Sequence, residues 1–152
     1  MSNTLASAAV STALKKRLES GLLRQQDNLA HAWAVTVSSP DVARTTALEA
    51  QDQLNLFLYQ ASASAAWRNQ EVPGRNQRGK TAPPPLALDL HYLVTAYAPD
   101  DEGIEAQKLL GIGGGILHDT PLLSREELES ALASAQVHLQ PERIRKIGRA
   151  HV

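Results

Sequence analysis

Cysteine is absent from this chain of 152 residues. The absence excludes disulfides, thiolate metal sites and cysteine nucleophiles, and it fits a reducing cytoplasm. Aromatic residues are scarce, at 4% of the sequence. Alanine and leucine must therefore fill most of the core, which favours helices packed on a sheet over an aromatic-rich β-sandwich.

Long apolar segments and an excess of either charge are also missing. No run approaches the ~20 apolar residues of a membrane-spanning helix, and the formal net charge is −1. We therefore expect no membrane partner and no general attraction to nucleic acid. With 43% hydrophobic residues, the composition is typical of a cytoplasmic globular protein with a core of its own.

Two segments alternate apolar and polar residues with the period of a β-strand. Over residues 53–61, one face carries Leu54, Leu56 and Leu58, and the other carries Asn55, Phe57 and Tyr59. Over residues 85–98, one face carries Leu86, Leu88, Leu90, Tyr92 and Val94, and the other carries Asp89, His91 and Thr95. We expect the two strands to pair, with residues 89–92 in a central strand and Leu88 and Leu90 buried. Residues 33–38 predict a shorter strand.

Helix signals surround these strands. Helical spacing of apolar residues predicts a first helix from about Thr4 to Gly21, where a glycine can adopt the left-handed conformation that ends a helix. Residues 41–52 are interpreted as a connection and residues 71–85 as a loop. Acidic residues at 100–102 predict the start of a helix to about Leu117, and Ser124 and Glu127 form a capping-box pattern that starts another. The predicted fold class is α+β, a mostly antiparallel sheet with helices packed on one face.

The glycine-rich segment at residues 111–115 has two interpretations. Glycine-rich turns before helices can bind phosphate, but this segment lies within a helical pattern and no Gly-Lys-Ser/Thr sequence follows it. The alternative is a helix whose glycines allow close approach to the sheet. We expect that arrangement, and we predict no cofactor.

The histidines do not have the spacing of a metal site. They stand at His31, His91, His118, His138 and His151. Asp89 and His91 share a strand face and could form the acid–base pair of a small hydrolase, but such pairs arise whenever polar residues alternate along a strand. No nucleophile elbow, P-loop or metal set accompanies them. We therefore predict no catalytic residue and no metal site, and we treat both residues as part of a surface.

A basic loop follows the strand predicted at residues 53–61. Four basic residues face one acid, Glu71, and they are Arg68, Arg75, Arg78 and Lys80. The loop is either solvated or docks on an acidic protein surface, since arginine binds carboxylates bidentately. Trp67 beside it is either a lid on the core or an interface anchor. The candidate interface comprises Trp67, Arg68, Asn69, Arg75, Arg78, Lys80, Asp89 and His91.

Three blocks in this order resemble a known family. They are Asn-Leu-Phe-Leu-Tyr at 55–59, Trp-Arg-Asn at 67–69, and Leu-Ala-Leu-Asp-Leu-His-Tyr-Leu at 86–93 before an acidic helix start. Together they resemble the N-terminal domain of Pvc-type cap proteins, the tail-terminator family of phage-tail-like contractile injection systems. The likeness extends from the first helix to about residue 122. The family usually has larger helix formers where this chain has glycines at 111–115.

The resemblance implies a structural protein without catalysis, which caps the tube and sheath of an injection particle assembled in the cytoplasm. It implies a ring of identical subunits, by resemblance a hexamer, in contact with sheath and tube proteins. The family-like domain is expected over residues 1–140, and the basic tail at 141–152 is expected not to be native domain sequence. Two alternatives stay open. One is a nucleic-acid or phosphate-binding module that uses the Arg68 to Lys80 loop, and the other is a small hydrolase that uses Asp89 and His91.

Overall fold

The computed structural model describes residues 6–29, 31–46, 51–65, 87–99 and 103–134. The elements follow the chain in the order α1 (Ala6–Arg24), β1 (Ala32–Thr36), α2 (Pro40–Thr46), β2 (Gln51–Ala63), β3 (Leu88–Tyr97), α3 (Ile104–Asp119) and α4 (Arg125–Ser134). A short 3₁₀ helix at Gln26–Asn28 follows α1. The fold is α+β, as predicted.

The three described strands form one sheet in the order β1-β2-β3. β2 pairs in parallel with β1 over five residue pairs and antiparallel with β3 over ten, so the sheet is mostly antiparallel. The predicted pairing of the second and third strands is confirmed. The prediction that residues 89–92 lie in a central strand is wrong for the described sheet, because β2 takes the central place and β3 lies at the edge.

Helices α1 and α3 cover one face of the sheet, which we call the inner face. The core combines leucines of both helices with β1 and β2, and it includes Leu14, Leu18, Leu22, Val35, Leu54, Leu56, Leu109 and Leu117. Leu90, Tyr92, Val94 and Ala96 of β3 pack against it, which confirms the predicted alternation, although Leu90 is half-buried where a buried side chain was predicted. Leu88 is an exception at 44% exposure. It lies at the end of the ladder opposite Ala63, which is also exposed.

Two glycines allow the closest packing between these layers. A Cβ atom on Gly113 would lie 2.8 Å from Leu54 Cδ2, and one on Gly21 would lie 2.6 Å from Ile116 Cδ1. Gly113 thus brings α3 onto β2, and Gly21 brings α1 onto α3. A Cβ atom on the other α3 glycines would contact nothing within 4 Å. Close approach to the sheet, predicted for the segment, therefore applies to one glycine of four.

Several helix boundaries differ from prediction. α1 continues to Arg24, because Gly21 is buried inside the helix rather than placed at its end. Pro40–Thr46 form α2, where a connection was expected, because seven residues are too few to show helical periodicity. α3 begins at Ile104, after Gly103 with a φ of 70°. The acidic residues expected to start it, 100–102, lie outside the described residues.

Helix α4 begins with the predicted capping box, and the glutamate of this box also binds an arginine of α1. The Ser124 N–H donates to Glu127 Oε2 at 2.7 Å, and the Glu127 N–H donates to Ser124 Oγ at 3.2 Å. Arg17 Nη2 donates to Glu127 Oε2 at 2.6 Å and to the Leu122 carbonyl at 2.8 Å. Arg17 Nη1 donates to the Thr120 carbonyl. One guanidinium thus connects α1 to the segment that joins α3 and α4.

Candidate interaction surface

The face of the sheet opposite α1 and α3, here called the outer face, is polar at the end near α2 (the polar end), apolar in its middle section and polar again beyond it. From the polar end onward, its cross-strand pairs are Gln53 with Tyr97, Asn55 with Thr95, Phe57 with Leu93, Gln60 with His91 and Ser62 with Asp89. Helix α2 begins at the polar end, where the Tyr97 hydroxyl donates to the Pro40 carbonyl at 3.4 Å.

A buried hydrogen-bond network occupies the polar end. Asn55 is fully buried, and its Oδ1 accepts hydrogen bonds from Thr36 Oγ1 at 2.9 Å and from the Ser38 N–H at 3.2 Å. Its Nδ2 donates to the Ser38 carbonyl at 3.1 Å, and Gln53 Nε2 donates to Thr36 Oγ1 at 2.8 Å. The network attaches the turn between β1 and α2 to β2. Asn55 therefore serves the fold rather than a partner.

A β-bulge in β2 lies within the middle section of the outer face. The pairing moves from Leu58 with Tyr92 to Gln60 with His91, so Tyr59 is an extra residue in β2. Ala61 then returns to the inner face opposite Leu90. The Tyr59 ring centroid lies 6.1 Å from that of His91, with the rings tilted by 51°. The bulge thus places an aromatic ring over the outer side of β3.

Four residues in the middle section, Phe57, Tyr59, His91 and Leu93, form what we call the outer patch. Tyr59 is 57% exposed and Leu93 is 43% exposed, while His91 is exposed and Phe57 is half-buried. Tyrosine combines a large apolar ring with a hydroxyl that can bond a partner, and for that reason it is frequent at protein interfaces. The outer patch is suited to contact with another protein.

The predicted interface residues divide into two groups. Asp89 and His91 lie exposed on the outer face, as predicted. The ion pairs of the described residues do not join them, and His91 lies against Tyr59 instead. The remaining candidates lie outside the described residues, as does the tail at 141–152, and they are Trp67, Arg68, Asn69, Arg75, Arg78 and Lys80.

Titratable residues in the described part of the chain do not gather into a metal site. No group of three or more His, Asp or Glu residues there could hold a metal ion. His31 Nδ1 lies 3.3 Å from Oδ1 of the buried Asp52, and this contact joins the segment before β1 to the start of β2. Among the same described residues, no helix has the length and apolar character to cross a membrane.

Sequence reasoning missed the contacts of Arg17, although a signal for them exists. Arg17 lies between Leu14 and Leu18 on the buried side of α1, and a lone cation within an apolar stripe indicates a buried acidic or carbonyl partner. The Asn55 network carries a weaker signal. Polar residues at 51–53 and 55 interrupt the leucines of β2, but the strand pattern alone treats them as solvent-facing.

The sequence matches the model of a known protein family. The family model of the Pvc16 N-terminal domain matches residues 9–147. The matched range includes all three described strands and, apart from the first turn of α1, the described helices. No curated protein and no solved structure matches the chain.

Proposed function

The chain belongs to the Pvc16 N-terminal domain family, and from this we propose that it is a cap subunit of a phage-tail-like contractile injection particle. In this role the subunits assemble as a ring that closes the end of the tube and sheath. The family match over residues 9–147 is the observation that carries the proposal. The family is a structural one rather than a known enzyme family.

The described structure supports a role in assembly. Two of its buried polar residues make their hydrogen bonds within the fold, Arg17 with Glu127 and Asn55 with the β1–α2 turn. Its outer patch instead exposes Tyr59, His91 and Leu93 on the sheet. A sheet face with exposed apolar side chains fits a subunit whose work is to contact other proteins.

The proposed partners are other copies of the chain, in a ring that is by family resemblance a hexamer, and the sheath and tube proteins at the end of the particle. Assembly takes place in the cytoplasm in this proposal. No cofactor takes part in it. The outer patch is the described surface that the subunit presents to the particle end.

Labelled particles would test the proposal. Sheath and tube proteins are produced together with the chain, which carries a tag that gold can label, and the particles are viewed by electron microscopy. We expect label at one end of each particle, and without the chain we expect open ends and a wider distribution of particle lengths. Label along the shaft, or particles that carry none, would overturn the capping role.

Neither alternative gains support from the described residues. The basic loop proposed for nucleic acid or phosphate lies outside them. Asp89 and His91, proposed for a hydrolase, share a face, but the imidazole lies against Tyr59 rather than against the carboxylate. The cap role is therefore the function that we put forward.

A further inference from the structure

The outer edge of β3 presents backbone groups that no described strand receives. The Ser64 N–H donates to the Ala87 carbonyl at 3.0 Å, next to the first pair of the β2–β3 ladder. Hydrogen-bonded and non-bonded pairs alternate along an antiparallel ladder. Asp89 and His91 therefore bond toward β2, whereas Leu88 and Leu90 direct their N–H and carbonyl groups away from it. In the described sheet, nothing lies beyond β3.

Apart from the charge of Asp89, strand β3 lacks the features that usually protect a sheet edge from pairing. Edge strands are normally short, or they carry lysine, proline or a bulge. β3 is ten residues long, Leu88–Tyr97, with neither lysine nor proline, and the bulge lies in its neighbour β2. Leu88 and Leu93 are also 44% and 43% exposed. Such an edge fits an added extended strand with apolar neighbours.

The opposite edge of the same sheet is formed by β1. Its five residues, Ala32–Thr36, carry no charged side chain. In the described sheet, β1 pairs with β2 on one side and with no strand on the other. The sheet formed by the described residues thus has two edges that can accept a strand, one at β3 and one at β1.

We propose that β3 of one copy pairs with β1 of the next, so that the sheet continues from subunit to subunit. The inference rests on the proposed cap function, since it names the contact that builds the ring. A β3–β3 pair would stop at two copies and leave both β1 edges unused. Pairing β3 with β1 is head-to-tail, uses both edges, and produces a closed ring when the rotation between neighbours closes.

Proline at Leu88 tests the edge directly. Leu88→Pro removes an outward N–H but leaves the β2–β3 bonds, while Leu88→Ala removes the same apolar side chain and keeps the N–H. We expect Leu88→Pro to weaken self-association about tenfold relative to Leu88→Ala, the loss typical of one hydrogen bond with its desolvation. Sedimentation velocity over a concentration series measures this, and thermal melting confirms that each variant is folded. Equal association of the two variants would overturn the proposal.

A charge at the edge provides a second variant pair that does not depend on proline. Leu93→Lys places a lysine on β3, and Leu110→Lys makes the same change at a leucine of α3 that is 41% exposed. We expect Leu93→Lys to shift the chain toward monomers and Leu110→Lys to sediment like the wild type. The same loss of association in both variants, or in neither, would contradict an interface at β3.

Engineered cysteines can identify the partner strand, because the natural chain has none. Cysteine variants in β1, Ala32→Cys and Ala34→Cys, are mixed with cysteine variants in β3, Asp89→Cys and Leu93→Cys, because these four side chains lie on the outer face and can meet across neighbouring strands. We expect disulfide-linked dimers in the mixtures but not in the β3 variants alone. Cross-linking of β3 variants with themselves would overturn the head-to-tail arrangement.

The edge contact and the cap function can fail separately. A wild-type chain that remains monomeric at all concentrations would overturn the edge contact, whether or not the label appears at particle ends. Label at particle ends together with full assembly of Leu88→Pro and Leu93→Lys would overturn the edge contact and leave the cap function standing. If the wild-type chain forms rings that these variants disrupt, but wild-type rings are never found on particles, the contact is supported and the cap function is overturned.

Discussion

At the scale of single residues, Arg17 shows how a buried cation can organise a turn between helices. Its side chain is 7% exposed and lies 2.6 Å from Glu127 Oε2. The same guanidinium donates to the carbonyls of Thr120 and Leu122, which precede α4. A cation removed from water in this way is stable only because its donors are satisfied. The position of α4 against α1 therefore depends on this side chain.

Replacing Arg17 by leucine should destabilise the fold. The substitution leaves Glu127 and two carbonyl groups without their donor, and we expect the free energy of unfolding to fall by about 3 kcal/mol. Lys15→Ala is the control on the same helix, because Lys15 and Glu19 form an exposed pair whose loss is expected to change stability by less than about 0.5 kcal/mol. Urea denaturation measures both. A similar small effect for the two variants would show that Arg17 does not stabilise the turn.

Glu127 should make part of this stability depend on pH. Burial raises the pKa of Glu127, but hydrogen bonds from Arg17 and Ser124 and the Arg17 charge together lower it more, so that the pKa lies below the usual 4.5. A carboxylate of lowered pKa contributes stability that is fully present above its unfolded pKa and is lost as the pH falls through its folded pKa.

We therefore expect a constant difference in unfolding free energy between wild type and Glu127→Gln at roughly pH 6 to 8, and a shrinking difference below about pH 4.5. Urea midpoints at a series of pH values provide the measurement. A difference that grows on acidification would contradict the lowered pKa of Glu127.

At the scale of elements, two glycines of α3, Gly113 and Gly114, should show opposite changes in stability when they are replaced by alanine. At Gly113 a Cβ atom would lie 2.8 Å from Leu54, which is completely buried, so Gly113→Ala should destabilise the fold by about 1–3 kcal/mol through overpacking. At Gly114 a Cβ atom meets open space, so Gly114→Ala should stabilise it by up to about 1 kcal/mol through helix propensity. Thermal unfolding of both variants decides this. Changes of the same sign would show that the helix does not rest on β2 at Gly113.

The pairing of β2 with β3 could be predicted because both segments alternate over many residues. The capping box of α4 could be predicted because serine and glutamate bond each other at a fixed spacing. The exposure of Leu88 could not be predicted, because alternation indicates which face a side chain lies on but not where the covering helix ends. Helix α2 was not predicted for a different reason. Its seven mostly polar residues show no helical pattern.

The candidate surface was predicted only in part. Asp89 and His91 were placed on the correct face, because β3 has no bulge of its own and its alternation is unbroken. Tyr59 was placed opposite the leucines as well, but its partner His91 depends on the bulge in β2. A bulge is a property of two strands and their register, so the sequence of one strand does not reveal it.

At the scale of the whole molecule, a substitution in the outer patch should impair assembly on a particle without affecting folding. Tyr59 is 57% exposed, so Tyr59→Ser should change the free energy of unfolding by no more than about 0.5 kcal/mol. We expect the same variant to lower the fraction of labelled particle ends. Leu122→Ser, at a leucine that is 50% exposed before α4, is the control and should label like the wild type. Equal labelling of the two variants would remove the outer patch from the contact with the particle.

The β-bulge at Tyr59 also determines where the length of this chain can change. Leu58 faces the inner side before the bulge and Ala61 faces it again afterwards, opposite Leu90. Without Tyr59, Leu58, Gln60 and Ala61 would alternate regularly, so every later residue of β2 would keep its face and its partner. Removing Asn55 instead would turn the leucines that follow toward the outer face. Of these two strand positions, only Tyr59 can be inserted or deleted without turning core side chains to the other face of the sheet. A single insertion or deletion can therefore add or remove an aromatic contact.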